Sequence, residues 1–308
     1  MIRQILAIVV FTAVFFPAGI CAQEGQVAEM AAIVSSLSGE ASVVLPSDSK
    51  RTALHVFDWL PAGSIIEVGA NSHLVVAFSN GKRFGMDAGS RATLTEEALK
   101  APVGVVSELK PFPPMPRLAA IDRAVRASAK SGAIRIRGDR ALQIVNLYPR
   151  KGTSALPKET TLLFSPVRED ARYKVELEDE LGRTVFSAET ESTSLAVPTG
   201  ILKPGARYFW RVRTVEIVGP AARGESEFAT LASEEIEKRA FFKAGLREKG
   251  DAEALALLAE IDRRLGLLLE SRNEFREALS KSPSDQILQR ILGEIERQLL
   301  PEPSGTKP

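Results

Sequence analysis

The pattern of apolar and polar residues divides the chain into two β-rich stretches, a polar connection and a helical end. Residues 33–96 and 142–231 consist of short β-rich runs separated by turns that contain glycine or proline. From residue 232 onward, apolar residues recur at helical spacing. We therefore expect a mostly β multi-domain protein, with a small β domain over 23–100, a β-sandwich over 142–231, a C-terminal α-helical segment over 232–300 and a disordered end over 301–308.

The first β-rich stretch contains the strongest hairpin signal of the chain. Asn80 and Gly81 separate the apolar run His73–Phe78 from the run Lys82–Phe84. Both turn residues accept positive φ, which a two-residue hairpin turn requires. The strands recur about every ten residues, which favours a sandwich or a rolled sheet.

Residues 33–96 resemble the FecR-type extracytoplasmic domain. The resemblance rests on the order of strands and turns, in the segments Ser38–Ala41, Trp59–Gly63, Ile66–Gly69, Asn71–Phe78, Asn80-Gly81 and Ser90–Leu94. It implies a β-rich module that faces a ligand or a partner, as in iron-uptake signalling proteins. This chain departs from the signalling form because its hydrophobic segment begins at residue 5, which leaves no cytoplasmic region to contact a sigma factor.

The second β-rich stretch contains an alternating strand and an aromatic motif. In Tyr173–Glu178, apolar and charged residues alternate with the period of a half-buried strand. The segment Leu202–Val212 reads Leu-x-Pro-Gly-x-x-Tyr-x-Trp-x-Val and resembles the fibronectin type III family. The resemblance implies a corner tyrosine at Tyr208, bonded to the turn near Leu202–Gly205. It also implies protein binding or a spacer role, while alternation places Tyr208 and Trp210 in the core.

Helix signals dominate the C-terminal segment. Ser233, Asp251 and Ser284 are predicted N-caps, because their side-chain oxygens can accept from the first backbone N–H groups of a helix. One subset of positions resembles a single tetratricopeptide repeat, at Leu255, Leu258, Ala259, Phe275, Ala278 and Pro283. Two interpretations remain: a plain helical hairpin or small bundle that packs on itself or on the sandwich, and a groove for a partner helix.

Residues 1–22 have the pattern of a secretory signal peptide. Arg3 supplies a positive start, Ile5–Phe16 is apolar, and Ala22 offers a small residue for cleavage. The alternatives are a retained anchor, although a spanning helix needs about 20 apolar residues, and a lipoprotein acylated on Cys21. We expect a periplasmic or secreted protein with no transmembrane segment after cleavage.

Composition narrows the class of function. Hydrophobic residues make up 44% of the chain and charged residues 26%, as in ordinary globular proteins. Forty basic residues balance 39 acidic ones, so the surface as a whole is not built for nucleic acid. One Cys and two His leave no disulfide framework and no Cys/His zinc site. Cleavage after Ala22 would remove the Cys, which suits an oxidising compartment.

Residues 101–141 are predicted to form a Pro-rich basic linker with a short helix over Leu118–Lys130. Five prolines between residues 102 and 116 favour a stiff, extended spacer. The simple interpretation of the many basic residues is a solvated linker. The alternative is contact with an anionic polymer or lipid head group. Its candidate residues are Arg117, Arg123, Arg126, Lys130, Arg135, Arg137 and Arg140.

The sequence offers no catalytic, cofactor-binding or metal-binding residues that we can assign. It lacks a Gly-x-Ser-x-Gly elbow and a phosphate loop, and His55 and His73 have no ligand cluster at metal spacing. We expect a non-enzymatic binding or scaffold protein of the bacterial envelope, without a cofactor. Its partner would be a protein or an envelope polymer, and not nucleic acid. The alternatives are a FecR-like regulatory component at the membrane and an envelope hydrolase.

Overall fold

The computed structural model describes residues 30–115, 143–168, 170–215 and 221–299. Four β-sheets and four long helices make up these ranges. This confirms the prediction of a mostly β multi-domain protein with a C-terminal helical segment. Four predicted features lie outside the described residues: the signal peptide, the helix over Leu118–Lys130, the basic candidates from Arg117 to Arg140, and the end 301–308.

The first module is a sandwich of two five-stranded antiparallel sheets. Its strands are β1 (Met30–Ser38), β2 (Ala41–Val44), β3 (Arg51–Ala53), β4 (Trp59–Pro61), β5 (Ile65–Val68), β6 (His73–Phe78), β7 (Arg83–Met86), β8 (Arg91–Leu94), β9 (Leu99–Val103) and β10 (Val106–Leu109). One sheet has the order β10-β7-β6-β1-β4 and the other β3-β2-β5-β8-β9. Val34, Phe78 and Ile66 are fully buried in the core that the two sheets share.

The first module continues past the point where the sequence predicted a linker. That prediction was wrong at its start, because residues 99–103 and 106–109 are strands. Pro102 is tolerated since β9 lies at the edge of its sheet, where a missing N–H breaks no ladder. Phe112 and Met115 then enter a hydrophobic core, so this part of the chain is not a solvated spacer.

The hairpin between β6 and β7 differs from the predicted two-residue turn. Phe78 N donates to Lys82 O at 2.8 Å, which closes a loop of three residues. Only Gly81 of the two turn residues has a positive φ, at 88°, as in loops that end with one left-handed residue. A Cβ at Gly81 would lie 2.2 Å from Phe112 O, so the close approach of the chain after β10 also requires glycine. Asn80 accepts from Lys82 N through Oδ1 at 3.0 Å.

The second module is a sandwich of a five-stranded and a two-stranded sheet. Its strands are β11 (Ser154–Ala155), β12 (Thr161–Leu163), β13 (Tyr173–Asp179), β14 (Thr184–Thr190), β15 (Ser194–Ala196), β16 (Arg207–Thr214) and β17 (Arg223–Thr230). The larger sheet has the order β11-β17-β16-β13-β14, and β12 pairs with β15. Leu162, Val175 and Val212 are fully buried in the core between them.

Two aromatic residues of β16 fix the second module. Tyr208 Oη accepts from Lys203 N at 2.8 Å, and its ring stacks on Phe228 with centroids 5.8 Å apart. Trp210 Nε1 donates to Pro149 O at 2.9 Å. Both side chains are buried, so they hold the core together and form no exposed platform for a ligand.

The C-terminal helices are α1 (Ser233–Lys249), α2 (Ala252–Arg264), α3 (Leu268–Lys281) and α4 (Gln286–Leu299). Asp251 caps α2 as predicted, accepting from Ala254 N at 2.7 Å. The predicted caps at Ser233 and Ser284 are wrong. Helix α1 has Ala232 as its N-cap, and at α4 the carboxylate of Asp285 accepts from two first-turn N–H groups, where its charge also complements the helix dipole.

One hydrophobic cluster joins the helices to both β modules. It contains Phe57 of the first module, Tyr148 and Leu231 of the second, and the apolar faces of the helices. Phe57 meets Phe275 of α3 edge to face, with ring centroids 6.1 Å apart. The helices therefore pack on the sandwiches as well as on each other.

The chain that leaves β10 is held against α1 by polar and aromatic contacts. Arg83 and Lys249 lie over the ring of Phe112, at 4.0 and 4.1 Å from its centroid. Lys249 Nζ donates to Pro111 O at 2.9 Å, and Arg83 pairs with Glu253 of α2 at 2.5 Å. These contacts orient the first module relative to the helices.

A buried ion pair joins the first two helices. Arg239 of α1 donates to both carboxylate oxygens of Asp262 of α2, at 2.6 and 2.5 Å. The side chain of Asp262 is fully buried. The paired geometry compensates the desolvation of both charges, which neither could sustain alone.

Truncating the shared cluster should weaken the whole molecule. We expect Phe275→Ala to lower the free energy of unfolding by about 3–5 kcal/mol, because Phe275 is fully buried among all three segments. Urea unfolding followed by tryptophan fluorescence measures this, since Trp59 reports the first module and Trp210 the second. Phe241→Ala, at a residue that is 65% exposed on α1, should change stability by less than about 0.5 kcal/mol. An unchanged unfolding midpoint in Phe275→Ala would contradict the expectation.

Removing one partner of the buried ion pair should destabilise the protein more than replacing both partners with apolar residues. We expect Asp262→Asn to lower the free energy of unfolding by about 3–5 kcal/mol, because Arg239 would keep a buried charge without its partner. The double variant Arg239→Met with Asp262→Leu should lose less than Asp262→Asn alone. Urea unfolding of the variants compares them, and a double variant less stable than the single one would contradict this account.

Candidate functional site

A cleft of about 490 Å³ opens between the second module and helices α1 and α3. On its β side, Thr161 and Leu163 of β12 alternate with the buried Leu162. Hydroxyl groups of Thr193 and Ser194 continue this side towards β15. The helical wall contains the polar residues Lys243, Arg247, Glu270, Arg272, Asn273 and Glu274. The cleft therefore combines hydroxyl groups with charges of both signs.

Backbone contacts hold the start of α3 against the second module. Gly266, between α2 and α3, has a φ of 77°, and its carbonyl accepts from Ser154 N at 3.0 Å. A Cβ at Gly266 would lie 2.9 Å from Ser154 N, so the approach requires glycine. Leu269 N donates to Tyr148 Oη at 3.4 Å. The start of α3, which contains Glu270 and Arg272, is thus fixed relative to the second module.

A nearly buried carboxylate ties the two helical walls of the cleft together. The side chain of Glu274 is 4% exposed and accepts from Lys243 at 2.8 Å and from Arg247 at 3.0 Å. Arg247 also pairs with Glu277 at 3.1 Å. The positive charges of α1 that face the cleft are consequently already matched by carboxylates of α3.

Glu270 has an unusual environment for a carboxylate. Burial raises the pKa of Glu270 to about 7, and the negative charges of Asp262 and Glu159 add to the rise. A hydrogen bond from the backbone N–H of Glu270 and the positive charge of Arg239 oppose it. No basic side chain in the described ranges forms a salt bridge with Glu270. This carboxylate therefore titrates near neutral pH, and the charges of Arg239 and Arg272 act on it without forming a salt bridge.

Two further charged groups line the cleft without a salt bridge in the described part of the chain. Glu159 precedes β12 and is exposed. Arg272 donates to Asn273 Oδ1 at 3.2 Å through Nη2, and burial together with the nearby Arg276 charge lowers the pKa of Arg272. Two carboxylates and one guanidinium are thus available to a molecule that enters the cleft.

The structural residues singled out in the sequence lie away from the cleft. Tyr208 and Trp210 belong to the core of the second module, and Asn80 and Gly81 to the hairpin of the first. Trp59 lies beside the shared cluster with Arg264 over its ring at 5.7 Å, and its buried Nε1 has no hydrogen-bond partner among the described residues. The proposed contacts with an anionic partner, from Arg117 to Arg140, fall outside the described residues and stay a prediction.

Sequence reasoning missed the cleft because its residues are far apart along the chain. One local signal was present: Glu270 and Glu274, and likewise Arg272 and Arg276, are like charges four residues apart on one helix. Such pairs destabilise an isolated helix, so they indicate that the charges have partners or roles elsewhere. The structure supplies partners for Glu274 and Arg276.

The two histidines lie at the surface of the first module. His73 Nδ1 is 3.0 Å from Asp87, and His55 Nδ1 is 3.5 Å from Asp58. Across the described ranges, no three His, Cys, Asp or Glu side chains are grouped as a metal ion would require. In the same ranges, no helix has the length and apolar character needed to cross a bilayer.

Comparison with known proteins assigns no family. No family model and no curated protein matches the chain. Among solved structures, the chain is similar to CopC from Methylosinus trichosporium OB3b, with 20% identity, 30% of this chain and 94% of that chain covered, and a TM-score of 0.23. A likeness of this size assigns neither fold nor function.

The raised pKa of Glu270 predicts a specific pH dependence of stability. The folded state holds a proton on Glu270 at pH values where the unfolded state has lost it, so this stabilisation is present below the unfolded pKa and is lost as pH rises through about 7. When the pH is raised from about 5 to about 8, the free energy of unfolding should fall less in Glu270→Gln than in the unchanged protein. Urea unfolding at both pH values measures the difference. The exposed Glu237→Gln on α1 serves as the control, and parallel behaviour of all three proteins would contradict the assignment.

Proposed function

We propose that the protein is an exported, non-enzymatic binding protein of the bacterial envelope, and that the cleft between α1, α3 and β12 is its binding site. The observation that carries the proposal is the set of charged groups in the cleft, Glu159, Glu270 and Arg272, which form no salt bridge among the described residues. A partner with complementary charges would satisfy all three. The partner would be a protein or an envelope polymer.

The rigidity of the cleft supports this proposal. The Glu274 ion pairs fix α1 to α3, and the bond from Ser154 N to Gly266 O fixes the start of α3 to the second module. Charged groups held in place before binding lose little conformational freedom when a partner arrives, which favours affinity. The cleft is thus suited to recognition of a defined shape.

Export is supported by the chain itself. The basic start, the apolar run and the small residue before position 23 form the pattern of a cleaved signal peptide. The resemblance of the two β modules to FecR-type and fibronectin type III domains supports a partner-facing role. Both features are consistent with a soluble binding protein outside the cytoplasm.

The proposal predicts export and cleft-dependent capture. We expect the mature protein to begin at Gln23 in the periplasmic or secreted fraction, as shown by N-terminal sequencing.

Tagged mature protein should recover a partner from a cross-linked envelope fraction. Recovery should fall about tenfold in Arg272→Glu, because a reversed charge repels what the guanidinium attracts.

A matched variant separates the cleft from surface charge in general. Arg290→Glu reverses an arginine on α4 whose side chain is 62% exposed and which lies outside the cleft. It should recover the partner as the unchanged protein does. Equal losses in both variants, or a protein that stays in the cytoplasm with residues 1–22 intact, would refute the proposal.

A further inference from the structure

The charges of the cleft point to the chemistry of its ligand. A carboxylate that is largely removed from water and lacks a counter-ion is costly for the folded protein. Glu270 is partly buried and forms no salt bridge among the described residues, although the charges of Arg239 and Arg272 act on it, and Glu159 lies near enough for its charge to oppose theirs. A cation supplied by a ligand would relieve this cost at both carboxylates.

Resting on the proposed function, we propose that the cleft binds a short peptide segment of that partner, one that has a primary ammonium group and a carboxylate. The ammonium group would lie between Glu159 and Glu270, and the carboxylate would bind Arg272.

The choice of an ammonium group follows from the number and arrangement of the ligating groups. A hard metal ion takes six or more oxygen ligands or keeps several waters, whereas the described residues group no three acidic, His or Cys side chains. An ammonium group has three N–H donors. Two carboxylates and one hydroxyl group, such as that of Thr161 at the cleft, match that number.

Arg272 is suited to receive the carboxylate of the ligand. Its planar guanidinium can donate two parallel hydrogen bonds to a carboxylate. Lys243 and Arg247, the other basic residues of the cleft, are already paired with Glu274. Arg272 donates to the neutral Asn273 side chain, so an incoming carboxylate displaces no ion pair.

The size and the remaining polar groups of the cleft fit a peptide. Its volume of about 490 Å³ lies within the range of about 300–1,000 Å³ for small-ligand sites. Hydroxyl groups of Thr193 and Ser194 and the amide of Asn273 can donate to and accept from peptide groups. Leu163 offers an apolar surface for the aliphatic part of the ligand.

Proton release accompanies binding in this arrangement. An ammonium group beside Glu270 favours the charged form of the carboxylate, so a proton leaves Glu270 when the ligand binds near neutral pH. The groups that act on Glu270 are Arg239 of α1, Asp262 of α2, Arg272 of its own helix, and Glu159 and Tyr148 of the second module. Arg239 and Asp262 already neutralise each other, which leaves Glu270 as the group that responds.

Titration calorimetry of the mature full-length protein with four probe peptides tests the proposal. Acetyl-Gly-lysine has its ammonium group on the side chain, Gly-Gly-norleucine has it at the N-terminus, acetyl-Gly-norleucine has none, and acetyl-Gly-lysine amide has no carboxylate. We expect at least one of the first two to bind about tenfold more tightly than each of the last two. The one that binds identifies the source of the ammonium group. Repeating the titration in buffers of different ionisation enthalpy should reveal the released proton.

Conservative variants connect binding to the named residues. Glu270→Gln should weaken the binding of the favoured peptide about tenfold and abolish the proton release, and Glu159→Gln should weaken binding while keeping the release. Glu237→Gln, on the exposed face of α1, should change neither, and circular dichroism checks that each variant is folded. Equal affinity for all four peptides, or unchanged binding in Glu270→Gln, would overturn the inference. If no peptide binds while envelope capture still depends on Arg272, the ligand assignment fails and the proposed function stands.

Discussion

Phe275 meets Phe57 at one end of a hydrophobic cluster that extends to Tyr148 and Leu231 at the other. Phe57 belongs to the first β module, whereas Tyr148 and Leu231 belong to the second. A single apolar surface of the helices therefore packs against both sandwiches. Burial of this surface is the main force that holds the three segments together, because the hydrophobic effect scales with the apolar area removed from water. The cleft borders this packing, since Leu163 and Leu269 both line the cleft and pack against the cluster.

Polar contacts orient the packed segments relative to one another. The Arg239–Asp262 pair fixes α1 on α2, and Arg83–Glu253 fixes the first module on α2. A buried ion pair contributes little net stability compared with well-packed apolar residues of similar size. Its effect here is to hold α1 against α2, which positions Lys243 and Arg247, the residues of α1 that line the cleft.

The sequence predicted those features that depend on short-range patterns. The alternation of apolar and charged residues in Tyr173–Glu178 predicted a strand, and the helical spacing of apolar residues predicted the C-terminal helices. Both patterns are readable because each repeats within one element. Features that depend on contacts between distant segments were predicted less well. Pro102 suggested a linker, yet β9 pairs at a sheet edge with β8, and Gly81 serves a close approach to Phe112 that no local rule contains.

The candidate site could not be predicted from the sequence for the same reason. Glu159 and Arg272 line the same cleft only after the helices fold back onto the second module, and no spacing rule relates them. The like charges four residues apart on α3 could be recognised, but they indicate strain and not the location of a partner.

The energetic character of the cleft distinguishes it from an ordinary solvated groove. Exposed ion pairs contribute about 0–1 kcal/mol and are screened by salt, so exposed charges alone would make a weak recognition site. Glu270 differs because partial burial in the surrounding protein raises its pKa to about 7. A charge brought to it by a ligand acts in a medium of lower effective dielectric, where the same interaction is several times stronger than in water. The hydrophobic packing that fixes α3 against the second module therefore also creates the environment in which a charged ligand can bind firmly.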